Sequence, residues 1–113
     1  MSKGAYAADL ATPKVTVITG DATLPKITGI YVLTKGSAAA ITLTAPSGID
    51  GTRLTVVSGS DQAHVITATS LVWDGTTGVN TTGTFQAFRG ASVVLVAYGS
   101  LWMVESANNV AWT

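Results

Sequence analysis

Ser92-Val93-Val94-Leu95-Val96-Ala97-Tyr98, then Gly99-Ser100, then Leu101-Trp102-Met103-Val104-Glu105-Ser106 decides how this chain folds. Two runs of β-branched and aromatic residues flank two turn-forming residues, the pattern of a β-hairpin closed by a tight turn. Positions 93–97 are apolar without a break, so both faces of that strand are expected to be covered. One face would meet the domain core and the other a neighbouring subunit.

Working outward, the same grammar recurs. Residues 15–19, 27–34, 40–44, 53–58, 64–69, 71–73 and 84–88 are rich in Val, Ile, Thr, Leu, Tyr and Phe, and most alternate with period two. Gly20-Asp21, Pro46-Ser47-Gly48, Asp50-Gly51, Gly59-Ser60-Asp61 and Asp74-Gly75 punctuate them, while no window carries a 3.6-residue apolar stripe. Residues 76–83 read as a polar loop and 108–113 as a tail carrying Trp112. The expectation is an all-β domain over residues 14–113, an antiparallel β-sandwich or barrel of jelly-roll type. Residues 1–13 are rich in Ala, carry Tyr6 and Leu10 as isolated large apolar groups and end at Thr12-Pro13. They are expected to form an extended N-terminal arm.

Composition narrows the function. Charged residues make up 11% of the 113 residues, against roughly 25% in ordinary soluble domains. Hydrophobic residues make up 47%, so a domain of this size has too little ionic surface to clothe itself, and the excess is expected to be buried against other chains. The net charge is zero and the Lys and Arg residues are scattered singly, which argues against nucleic acid as a partner. No apolar run approaches the ~20 residues that span a bilayer, and the opening ten residues lack the apolar stretch of a secretory signal. The chain is therefore expected to be made in a cytoplasm and to have no membrane partner. It has no cysteine, so disulfides and thiolate metal sites are excluded.

Candidate chemistry is sparse. His64 is the one histidine; a Ser/His/Asp hydrolase could be drawn around it, but no Gly-x-Ser-x-Gly elbow is present. Asp50, Asp61 and Asp74 sit in turns, where Asp is favoured for bonding its own backbone, and their spacing does not make a calcium loop. No catalytic, cofactor or metal residue is expected, and no cofactor. Trp73 and Trp102 are the candidates for an aromatic platform that would bind sugar rings, although alternation inside a strand favours packing for Trp102.

Residues 41–109 resemble a pattern common in structural proteins of tailed bacteriophages. Its marks are Ile41-Thr42-Leu43-Thr44-Ala45-Pro46, Asp50-Gly51-Thr52-Arg53-Leu54-Thr55-Val56-Val57-Ser58, Gln62-Ala63-His64-Val65-Ile66-Thr67, Gly83-Thr84-Phe85-Gln86-Ala87-Phe88 and the hairpin that opens this section. Among such proteins the chain looks most like a capsid decoration (cement) protein. That resemblance implies a non-enzymatic homotrimer on the outer capsid surface of the virion, with the major capsid protein as partner and an N-terminal arm as grip. Tyr6, Leu10 and Lys14 are the residues of this chain expected to make that grip. The alternative is a receptor- or carbohydrate-binding β module of a phage tail fibre, carried by Trp73 and Trp102.

Overall fold

A computed structural model describes residues 14–76 and 78–113. Tyr6 and Leu10, and with them the arm over 1–13, lie outside the described residues. Ten strands make up the described chain: β1 (Val15–Ile18), β2 (Ala22–Thr23), β3 (Gly29–Leu33), β4 (Ala40–Thr42), β5 (Arg53–Ser58), β6 (Val65–Trp73), β7 (Asn80–Phe85), β8 (Ser92–Tyr98), β9 (Leu101–Asn108) and β10 (Val110–Trp112). The fold is all-β, and no helix among the described residues is long and apolar enough to cross a membrane.

The strands run β1-β3-β5-β8-β9-β6-β4-β2 in one sheet, with β7 and β10 branching from β6. The sheet folds on itself into a nearly closed, barrel-like sandwich. Its outermost strands, β1 and β2, are consecutive in the chain, so the short link between them bridges the open side. The β8–β9 hairpin forms where the sequence places it, with positive φ at both Gly99 and Ser100. That geometry is the mirror-image turn whose twist matches flanking strands.

The pairing sense departs from the expected antiparallel jelly roll. Odd strands β1, β3 and β5 stack parallel, and so do even strands β2, β4 and β6. From β1 to β6 the chain therefore winds as a coil, laying one strand in the first half of the sandwich and the next in the second. Parallel neighbours cannot be joined by a tight turn and need a crossover of a dozen or more residues; here a strand in the opposite half is the crossover. Asp50-Gly51, read from the sequence as a tight turn into residues 53–58, lies on such a crossing, and Gly51 takes the φ of +91° that glycine supplies. Antiparallel pairing is confined to β5–β8, β8–β9, β6–β7 and β7–β10.

Inward positions fill one core. Leu33, Leu54, Val56, Ile66, Val72, Val93, Leu95 and Trp102 are all fully buried. Trp102 donates its indole N–H to the Thr44 carbonyl at 2.9 Å, so its polar atom is satisfied across the sandwich. Two segments read as loop and tail pair instead. Residues 80–83 enter β7, and 110–112 form β10, because Gly83 leaves room for the Trp112 ring on its backbone. A Cβ at Gly83 would stand 2.6 Å from that ring. Gly83→Ala is accordingly expected to destabilise the fold by about 1–3 kcal/mol through overpacking. Urea denaturation checks this, and the penalty should shrink in a Trp112→Leu background, where the clash is absent.

Candidate functional site

Buried polar groups are where chemistry would be expected, and His64 is fully buried immediately before β6. Its Nδ1 accepts the Ala39 N–H at 2.9 Å. An amide can only donate, so Nδ1 carries no proton and the ring is the neutral Nε2–H tautomer. Nε2 lies 2.9 Å from Ser60 Oγ, to which it therefore donates, and Ser60 Oγ donates in turn to the Lys35 carbonyl at 2.8 Å. Phe85 meets the ring edge-on at 6.4 Å.

This Ser–His contact has the wrong polarity for a hydrolase. A catalytic histidine must take the serine proton on a bare Nε2 while its Nδ1–H is held by a carboxylate. Here Nε2 is already protonated, Nδ1 faces an amide, and the ring is closed to solvent. The chain of bonds is a structural clasp that ties the β3–β4 connection to the β5–β6 connection, one turn of the coil to the next.

Burial, with the Lys35 charge as a second cause, lowers the His64 pKa below its ordinary value. A histidine whose folded pKa lies below its unfolded value of about 6.5 gives its full stabilisation above that pH and loses it as pH falls through the folded pKa. Stability is therefore expected to fall on acidification below about pH 6.5, with a slope approaching ~1.4 kcal/mol per pH unit for one proton. A His64→Phe variant, which cannot titrate, should lose that slope. Denaturant midpoints measured from pH 7.5 to pH 5 decide it.

The turn aspartates divide in role. Asp74 accepts from the Thr76 N–H and hydroxyl, building its own turn. Asp50 instead accepts from the Gly99 N–H and Asp61 from the Arg89 N–H, each clipping a distant loop. No group of three or more His, Asp or Glu residues among the described residues is placed to hold a metal ion.

A cleft of about 280 Å³ lies between β1, β3 and the β2–β3 connection, lined by Lys14, Thr16, Pro25, Ile27, Tyr31 and their neighbours. Tyr31 gives its hydroxyl hydrogen to the Ile27 carbonyl, and desolvation raises its pKa. Lys14 stands at this cleft and is the charged group among the described residues of its wall.

The two platform tryptophans are separated. Trp102 is fully buried, which corrects its assignment as a sugar-binding surface: the alternation that marks its strand points it into the core. Trp73 remains 40% exposed at the end of β6. Its neighbours across the strands are Met103 and Val96, not a second aromatic ring.

Those neighbours belong to an outer sheet face. Register carries one outward row through Val15, Ile30, Thr55, Val94 and Ser106, and another through Val17, Val32, Val57, Ser92 and Asn108. A third row joins Arg53, Val96, Met103 and Trp73, and Tyr98 with Leu101 extends the face at the hairpin end. The outer face of β1-β3-β5-β8-β9 is thus mainly valine, isoleucine and aromatic, with Val15, Val17 and Tyr98 more than half exposed. Across the sandwich the outer face of β4, β6 and β7 presents Thr42, Thr67 and Thr84. Sequence reading reached this face only through positions 93–97; the register that lines up β1, β3 and β5 beside them is not written in any local pattern.

Compared with protein families, with curated proteins and with solved structures, the chain matches none.

Proposed function

We propose that this chain is a non-enzymatic virion protein, a capsid decoration protein of a tailed bacteriophage that binds the major capsid protein on the outer head surface as a trimer. The observation that carries the reading is the apolar outer face of β1-β3-β5-β8-β9, which no described residue of the chain covers. Contiguous exposed apolar patches larger than a few hundred Å² mark interaction surfaces. Two further points support it: the described residues hold no catalytic constellation with the right polarity, and the sequence resembles phage structural proteins over 41–109.

The mechanism is linkage. A protein that binds only the assembled lattice stabilises each site by RT ln(1 + [L]/Kd), about 2.7 kcal/mol at a hundredfold excess over Kd. Many sites acting together would raise the shell's resistance to internal pressure.

Mixing the purified chain with undecorated capsids of its phage is expected to give saturable, lattice-wide binding by sedimentation and electron microscopy, and a higher disruption temperature. Deleting residues 1–13 should leave the domain folded and abolish attachment. Capsids that stay bare at micromolar chain overturn the reading, and a truncated chain that still saturates them overturns the role of the arm.

A further inference from the structure

We infer that the open edge of β1 is a strand-docking site, which takes an extended peptide segment of another protein carrying an apolar and an acidic residue two positions apart. The site is independent of the decoration reading, since it uses backbone groups of β1 and the cleft beside them.

Unpaired backbone says that the occupant is a strand. β1 ends the strand order and is bonded to β3 on one side. The Lys14 and Ile18 carbonyls accept from the Ile30 and Thr34 amides, and in a parallel ladder alternate residues bond to opposite sides. Val15 and Val17 therefore turn their N–H and C=O away from β3, and no described residue pairs with them. Within Val15–Ile18 there is no charge, proline or bulge, the features that close native edges to further strands. The other end strand, β2, is two residues long and offers far less.

The cleft says which side chain the strand carries. Lys14 and Thr16 alternate to the inner face, Thr16 stands in register with Tyr31, and all three line the cleft with Pro25 and Ile27. A strand added to β1 directs every second side chain to that same face. At about 280 Å³ the cleft falls below the ~300–1,000 Å³ of sites for whole small molecules, and its Pro25, Ile27 and Tyr31 walls match one apolar side chain. Charge supplies the second residue. Lys14 stands two residues from Thr16, and no carboxylate among the described residues pairs with it. An acid two positions from the apolar side chain meets that ammonium. Main-chain bonds give such a contact its affinity and the alternate side chains its specificity.

The probe is a fluorescein-labelled peptide, Thr-Val-Leu-Val-Glu-Val-Thr, titrated with the full chain and read by anisotropy. Saturable binding at submillimolar chain is expected. Val17→Pro removes an outward donor and leaves the β3 ladder intact, so it should weaken binding about tenfold with an unchanged far-UV spectrum. Lys14→Glu should reverse the preference between this peptide and its Lys-for-Glu analogue. Should Val17→Pro misfold, a fully N-methylated peptide tests the same bonds on the wild-type chain and should not bind. A full chain that leaves the peptide free, whether because residues 1–13 or a second copy cover the edge, overturns the inference. So does binding that survives N-methylation, or Val17→Pro in a folded variant. A chain that binds the peptide and ignores capsids would keep the inference and sink the decoration reading. Capsid binding by a chain that ignores the peptide would do the reverse.

Discussion

Parallel neighbours demand long crossovers, and most of this architecture follows from that constraint. Because β3 must lie parallel to β1, the chain has to leave the first half of the sandwich and return, and it lays β2 on the other side while doing so. Repeating the move gives β4 and β6. Each crossing then has to be held to the next, since consecutive turns of the coil share no hairpin. The His64–Ser60–Lys35 chain of bonds and the His64–Ala39 contact do this at one end. Trp102, reaching from β9 to the Thr44 carbonyl, fastens the hairpin to the end of β4. A hydrogen bond made by a buried group is costly to leave unmade, so these polar links specify one stacking of the turns where apolar contact alone would permit sliding.

Strand positions were legible because period-two alternation is a local property. β5 falls on the residues expected for it, and β8 and β9 fall on theirs, with a turn whose two residues both adopt positive φ. Pairing was not legible, because turn residues such as Asp50-Gly51 look alike whether the next strand returns beside its predecessor or crosses to the other half. A weak signal did exist. Register offsets β3 from β5 and β4 from β6 by the same 25 residues (Ile30 against Thr55, Ile41 against Ile66). Ile41-Thr42-Leu43-Thr44 and Ile66-Thr67-Ala68-Thr69 are the trace of that repeat. β7 and β10 were missed for another reason. Asn80, Thr81, Thr82 and Gly83 have the composition of a loop, and their pairing with β6 on one side and the Trp112 ring lying on Gly83 on the other depend on partners distant in sequence. As for the site, the aspartate turns were readable from residue type, whereas the buried Trp102 and the polarity of the His64 clasp depend on partners 58 and 25 residues away.

The few ionic groups explain why one outer face is left mainly apolar. Asp21 binds the Lys35 ammonium and the Ala40 amide, which together hold its carboxyl below the usual range. Asp74 is held low in the same way by Thr76. Asp50 and Asp61 clip loops to Gly99 and Arg89, and Lys26 reaches the Ala45 carbonyl. These groups are committed to fastening connections at the ends of the coil; exposed ion pairs of this kind add little net stability, but they hold loops in place. Apart from the Arg53–Glu105 pair, the side chains left on the two broad faces are mainly uncharged. On one of them threonine makes contact with water acceptable. On the other the aligned rows are mainly valine and isoleucine, side chains that gain free energy when removed from water. A sequence that places most of its charges in turns and its valines on an outer face keeps part of its apolar surface outside its own core.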